Sequence, residues 1–398
     1  MKARLLIGFV AFASANIASA RPETVPVRRL DISLGARLEY DSNVLRAGND
    51  VGGRGKDDII AAPTLGADIL LPFARNSLFL NGTVGYRFYR RHDALNREAI
   101  NLNGGGTLAL GASCSVDGLV SWRRQQTDLG DFYDTLGPKN TEQAVSQSAR
   151  ARCGIDKGLA PSIGFTHRTV TNSAGFRRQN NYNVDTIEGA LGYSRPLLGT
   201  ISIYGAYSDA TYPQRIAVGP GTANDGTRSY QTGLRYERDI GARLRGTVSL
   251  GWTKVDPKLA AVPGFEGLSY AADITALVSE QLQFALAAAR TVEQSNLLSI
   301  SYSITDTVRA DAKYAFSPLV QLGFGTAWTR RNLRRSPAVA DPVFVPDDRL
   351  WDLHASLSMK RSARLSFAVD ASYRRRSWAA AFNNYSSLRA GISAFCKL

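Results

Sequence analysis

The feature that most constrains this chain is an alternation of apolar and polar residues. From Leu78, one parity reads Leu78, Leu80, Gly82, Val84, Tyr86 and Phe88, while the other carries Asn81, Thr83, Gly85 and Arg87. From Leu244, the apolar parity is Leu244, Gly246, Val248, Leu250 and Trp252, opposed by Arg243, Arg245, Thr247, Ser249 and Thr253. From Leu365, the residues Leu365, Phe367, Val369, Ala371 and Tyr373 oppose Arg364, Ser366, Asp370, Ser372 and Arg374. A helix repeats near 3.6 residues, whereas a period of two sends successive side chains to opposite faces of a strand. Each segment is therefore a strand with one apolar and one polar face.

The pattern recurs from residue 30 to residue 398 and predicts about 18 strands, each at least as long as the roughly 9–11 residues a tilted strand needs to cross hydrocarbon. No apolar run approaches the roughly 20 residues of a spanning helix; the densest, Leu282 to Ala289, is far shorter. Tight joints such as Pro72-Phe73-Ala74-Arg75 and Ser317-Pro318 alternate with longer ones such as 43–56 and 333–347. Such sorting of loops by end is expected of an outer-membrane barrel. The predicted fold is all-β: a transmembrane, antiparallel, up-and-down β-barrel with short periplasmic turns and longer extracellular loops. Closure leaves no sheet edge unpaired against lipid. The segment 297–316 is read as one strand although Asp306 sits on its apolar parity. Splitting it at Thr305-Asp306 would give an odd number of strands.

The first residues bear on the compartment. Met1-Lys2-Ala3-Arg4 is basic, Leu5 to Ala15 is mostly apolar, and Ala18-Ser19-Ala20 is a run of small residues. Residues 1–20 read as a secretory signal peptide, residues 21–29 as a periplasmic lead-in, and residues 30–398 as the barrel. The expected location is the bacterial outer membrane. Lys and Arg number 48 against 34 Asp and Glu, a formal net charge of +14. A positive protein attracts anions. The expected partners are outer-membrane lipid and lipopolysaccharide, acidic polysaccharide or small anions, and proteins of an export machine. Export argues against nucleic acid. Three cysteines are present. Cys114 and Cys153 both fall at the periplasmic end of neighbouring strands, where either a disulfide or two free thiols would fit; Cys396 stays single.

Catalytic patterns are sparse. His92, His167 and His354 are the only histidines, and none has metal-ligand spacing. No cofactor or metal is expected. His354 shares a polar face with Asp352, Ser356 and Ser358, so it is a pore-lining candidate, with a hydrolase His–Ser pairing as the alternative. Gly104-Gly105-Gly106 lacks the lysine of a phosphate loop. Arg87, Arg245 and Arg364 lie on polar parities and are the other pore-lining candidates. Arg90, Arg91, Arg123, Arg124, Arg330, Arg331, Arg374, Arg375 and Arg376 lie near the outer ends of strands. They form either a basic outer rim facing lipopolysaccharide phosphates or the ordinary decoration of solvated loops. Asp57, Asp58, Asp128, Asp131, Asp347 and Asp348 lie at the same end.

Glu39-Tyr40-Asp41-Ser42-Asn43-Val44, with Asp57-Asp58 opening the next strand, resembles the putative β-barrel porin 2 family. That resemblance implies an outer-membrane barrel and a part in exopolysaccharide export, and it carries no catalytic residues. Three functions are left open: a porin-like channel preferring anions or serving exopolysaccharide export, a closed accessory barrel of an export system, and an outer-membrane hydrolase. Barrels of roughly 16–18 strands enclose an aqueous lumen, which favours the first.

Overall fold

The computed structural model describes residues 27–48, 55–127, 140–154, 157–217, 223–240, 243–295, 300–337, 347–378 and 384–398. Residues 1–20, most of the expected lead-in, and Asp128 and Asp131 lie outside the described residues. The strands, in chain order, are β1 (Arg29–Asp41), β2 (Asp58–Phe73), β3 (Asn76–Tyr89), β4 (Arg97–Leu110), β5 (Cys114–Gln126) and β6 (Thr141–Cys153). They continue as β7 (Gly158–Asn172), β8 (Tyr182–Arg195), β9 (Gly199–Ala217), β10 (Ala223–Ile240), β11 (Leu244–Pro257) and β12 (Phe265–Leu277). The last six are β13 (Leu282–Gln294), β14 (Ile300–Ala315), β15 (Val320–Arg335), β16 (Asp347–Lys360), β17 (Leu365–Trp378) and β18 (Tyr385–Lys397). All are antiparallel neighbours in one 18-stranded sheet, and β1 pairs with both β2 and β18, which closes it.

The connections sort by end without exception. Links after even-numbered strands are two to four residues long, and links after odd-numbered strands are five to sixteen. The tight end is periplasmic and the long end faces outward. The segment around Asp306 is a single strand, β14, as the alternation requires.

Outward faces are apolar and exposed: Leu34 and Leu38 on β1, Leu78, Leu80 and Val84 on β3, Leu234 on β10, Val369 on β17. Aromatic side chains bracket this belt, with Tyr40, Tyr86, Trp252 and Trp351 toward the outer face and Phe73, Tyr193, Tyr314 and Phe316 toward the periplasm. A band of this kind flanked by two aromatic girdles is what a bilayer stabilises. No helix among the described residues is long and apolar enough to cross a membrane; the strands cross instead, and the barrel belongs in the bacterial outer membrane. Among the described residues, apolar clusters centred on Val44, Tyr212 and Tyr302 all sit at the outer end.

Barrel closure is secured by the residues that resemble the family motif. Asp41 is nearly fully buried and accepts hydrogen bonds from the Arg46 guanidinium (2.7 and 3.0 Å), Ser387 (2.7 Å) and the Asn43 amide (3.0 Å). Arg389 is a further ion-pair partner at 3.1 Å. Asn43 Nδ2 donates to the carbonyls of Ala47 and Ser386. Ser42 exchanges bonds with Leu388, and buried Asp58 accepts the amides of Arg91 and His92. The motif is thus a clasp that ties the first long loop to β18 where the sheet closes.

One seam is short. β12 pairs with β13 only over Ala271–Leu277 against Gln283–Ala289, whereas β11 meets β12 from Leu244 to Val255. Above the last rung, Tyr270 donates to Asp306 (3.0 Å), and Arg290 grips the same carboxylate at 2.6 and 3.1 Å. An apolar cluster of Val255, Leu259, Val262, Tyr302 and Ile304, with Phe265 and Val292 against it, joins the parted ends. Asp306 sits on the apolar parity because it bonds along the outer surface at this gap.

Candidate functional site: the charged inner wall

The inward parities carry the polar chemistry, as alternation on a closed sheet demands. Their charges are arranged as arginine–carboxylate rungs. On β1, Arg37 and Glu39 are two residues apart and share a face; Arg37 Nε donates to Glu39 at 2.9 Å and its Nη atoms reach Asp370 at 2.5 and 2.6 Å. That reach crosses β18 over Gly391, which faces Glu39 on one side and Asp370 on the other. A Cβ on Gly391 would lie 2.6 Å from Arg37 Nη2. Gly325 plays the same part between β14 and β16, where Asp311, Gly325 and His354 are in register. A Cβ there would overlap both Asp311 and His354. The two glycines let charged side chains meet across an intervening strand.

Arg87 faces inward and is paired with Glu39 at 3.0 Å. His354 also faces inward, its Nε2 lying 3.2 Å from Asp311, which in turn holds Arg309 at 2.6 Å. Arg245 has inward parity but sits at the periplasmic mouth, paired with Asp239 at 3.0 Å, both half exposed. Arg364 is a correction. It lies outside β17, in the exposed periplasmic turn 361–364, where its amide bonds Ser362 and its carbonyl accepts from Lys397. The polar run preceding Leu365 is turn, so parity there says nothing about the lumen.

The expected basic rim is also corrected. All nine arginines are at the outer end, but they do not form one band. In a strand, consecutive residues point to opposite faces. Each Arg-Arg doublet within a strand is therefore divided by the wall. Arg123 faces inward toward Glu142 (3.6 Å), while Arg124 faces outward and pairs with Glu98. Arg331 faces inward onto Asp348, and Arg330 faces outward with Asp347 at 3.2 Å. Arg374 pairs inward with Asp352 at 2.7 Å, and Arg376 is buried between Asp348 (2.8 Å) and the ring of Trp378 (4.3 Å). Arg375, between them, is exposed on the outward parity. Arg90 and Arg91 lie just beyond β3, with Arg91 on Asp57 at 2.9 Å.

Sequence reading missed the rungs Arg37–Asp370, Arg152–Asp117 and Arg150–Glu188–Arg235. Their signal was present: each charge sits on the polar parity of its strand. It also missed a hub at the outer mouth. Arg215, fully buried near the end of β9, bonds the carbonyls of Gln179 (2.7 Å) and Ile300 (2.6 Å) and Asn180 Oδ1 (2.6 Å). Its guanidinium lies 4.0 Å from the Tyr212 ring centroid and 3.4 Å from buried Asp225. Tyr212 in turn accepts the Ser295 amide at 2.7 Å. The connection after β7 is thereby tied to the outer ends of β9, β10 and β14, although β9 and β14 are not neighbours in the wall. Strand period alone does not mark Arg215, because its partners lie on other elements.

At the periplasmic end the structure joins Cys114 to Cys153 by a disulfide between residues in direct register on β5 and β6. Cys396 is free and exposed. Among the described residues, no group of three His, Cys, Asp or Glu could hold a metal ion.

Comparison with solved structures gives Pseudomonas aeruginosa OccK2 (OpdF), crystallised with glucuronate, at 12% identity and a TM-score of 0.47, covering 93% of this chain and 98% of that one. A BenF-like porin from Pseudomonas fluorescens Pf-5 matches at 13% identity and a TM-score of 0.46, covering 93% and 99%. A search of curated proteins found no match. Residues 220–396, which take in β10 and nearly all the wall after it, match the family model described as "Putative beta-barrel porin 2", the family the sequence resembles, and the chain folds as a closed 18-stranded outer-membrane β-barrel.

Proposed function

We propose that the barrel is a water-filled passage for polar solutes, reached after removal of residues 1–20 as a signal peptide. One observation carries this reading. Glu237, Asp273 and Lys313 are charged, lie on inward parities, and are nonetheless exposed. Among the described residues none of the three has an ion-pair partner; such charges are stable only in water, and a wall of this strand number leaves room for it. The full sequence has a net charge of +14, and only Lys2 and Arg4 of that excess leave with residues 1–20, so the remaining positive charge favours anions modestly. Most inner arginines stand beside carboxylates, and a paired arginine projects little net field. Sugars suit such a wall, because guanidinium and carboxylate rungs donate to and accept from hydroxyl groups. Exopolysaccharide, the cargo implied by the family resemblance, belongs to that class.

Planar-bilayer recording tests the proposal. The assembled barrel should conduct, with a reversal potential shifted slightly toward anions at low salt and less at high salt, where screening is stronger. Arg87→Gln should move the reversal potential toward cations, because Glu39 keeps its charge. Arg364→Gln, in the periplasmic turn, should leave it in place. A folded barrel that passes no current at any voltage would refute the channel. It would favour a closed accessory barrel of an export system, the reading to which the hub around Arg215 lends support.

A further inference from the structure

The outward side of the wall carries a second arrangement of charge, independent of what passes through the lumen. On β15, β16 and β17 the exposed lipid-facing surface runs up through Phe324, Leu353 and Val369 to Trp351 and Tyr373, with half-buried Trp328 on the same parity. Trp328 and Trp351 are directly opposite each other, with ring centroids 6.4 Å apart. One step further out on the same parities come Arg330, Arg349 and Arg375. Arg330 is directly opposite Arg349, and Arg375 is opposite Trp351, diagonal to Arg349.

Like charges directly opposite on neighbouring strands destabilise a sheet unless something offsets them. Among the described residues a single carboxylate serves them: Asp347 accepts Arg330 Nε at 3.2 Å and Arg349 Nη2 at 3.4 Å. Arg375 has no carboxylate partner among the described residues, and it lines a cavity of about 250 Å³ with Tyr373, Asn384 and Ser386. Three guanidinium groups thus share one acid, and the side chains of Arg330 and Arg349 remain 44% and 56% exposed. The tryptophans beneath mark the depth at which acyl chains give way to headgroups. A planar guanidinium with spare N–H groups at that depth matches a phosphate in geometry and sign.

We propose that Arg330, Arg349 and Arg375, above Trp328 and Trp351, form a site for the phosphate of an outer-leaflet lipid. The acyl chains lie along the apolar surface of β15–β17, and the phosphate supplies the charge that the paired arginines lack.

The test uses the purified, folded barrel in detergent, titrated with bis-phosphorylated lipid A and read as bound fraction by native mass spectrometry. The triple variant Arg330→Gln, Arg349→Gln, Arg375→Gln should bind at least about tenfold more weakly, the loss expected for one or more charge-assisted bonds. Arg364→Gln should bind like the parent. Lipid A stripped of phosphate should bind the parent no better than the intact lipid binds the triple variant. Inorganic phosphate at matched concentration should displace little lipid, since it lacks the apolar chains. Heat-modifiable migration checks that each variant is folded. If the triple variant fails that check, Arg349→Gln alone, which leaves Asp347 on Arg330, should still weaken binding about threefold. Undiminished binding by the folded variants, equal binding of the dephosphorylated lipid, or full displacement by inorganic phosphate would overturn the proposal.

Discussion

Substituting arginine at two positions of β11, three residues apart, separates the two faces of the wall by energy. Leu250 is 57% exposed on the lipid-facing side, flanked across the sheet by Leu234 and Tyr270, near the middle of its strand. An arginine there at the bilayer midplane costs about 2–4 kcal/mol, roughly a 30- to 1000-fold loss in the folding equilibrium. Thr247 points inward, and its two cross-strand partners are Glu237 and Asp273. An arginine at 247 would stand between two carboxylates that have no ion-pair partner among the described residues, each such pair contributing about 0.2–1 kcal/mol. Thr247→Arg should therefore match the parent or exceed it slightly, while Leu250→Arg should fall about 2–4 kcal/mol below the parent. Guanidinium titration in lipid vesicles, followed by tryptophan fluorescence and by the fraction of heat-modifiable band, measures both. Equal midpoints for the two variants, or a lower one for Thr247→Arg, would refute the assignment of faces.

The clasp gives a second prediction. Asp41→Asn leaves Arg46 and Arg389 without their shared charge, and breaking a buried pair costs about 3–5 kcal/mol; a parent-like guanidinium midpoint would show that the clasp does not hold the closing seam. The third concerns the rung across β18. Gly391→Val should push Arg37 off Asp370 and lower single-channel conductance while the barrel still folds, and an unchanged conductance would remove that rung from the path of the solute.

Residues whose role depends on the strand period were legible in the sequence. Leu250 and Thr247 could be assigned to opposite faces, and the alternation of tight and long joints kept Ile300–Ala315 as one strand despite Asp306. The same period, applied to Arg330-Arg331 or Arg123-Arg124, divides each doublet between lipid and lumen, yet adjacency in sequence suggested a cluster. Arg364 was misplaced because a polar turn and a polar strand face look alike without the boundary at Leu365. Gly325 and Gly391 were invisible as devices, because the absence of a side chain takes meaning only from what passes over it. Asp41 and Asn43 were noticed for their resemblance to a family, and their work as a clasp emerges only when β18 is brought beside β1. Arg215 could not be anticipated, since Asn180 and Ile300, which it bonds, lie 35 and 85 residues away along the chain.

The short ladder between β12 and β13 sets the order in which the cylinder would come apart. The ladder between β12 and β13 has the fewest rungs of any in the wall, and over Phe265–Tyr270 and Arg290–Gln294 each strand is fastened on one side only. Local opening begins where the fewest bonds resist it. Amides along these two edges should be the first in the wall to exchange with deuterated water, and lateral tension on the outer leaflet should concentrate there. A cylinder closed by 18 seams thus behaves mechanically as a sheet with one preferred line of tearing, running inward from the outer rim and stopping at the rung of Ala271 and Ala289.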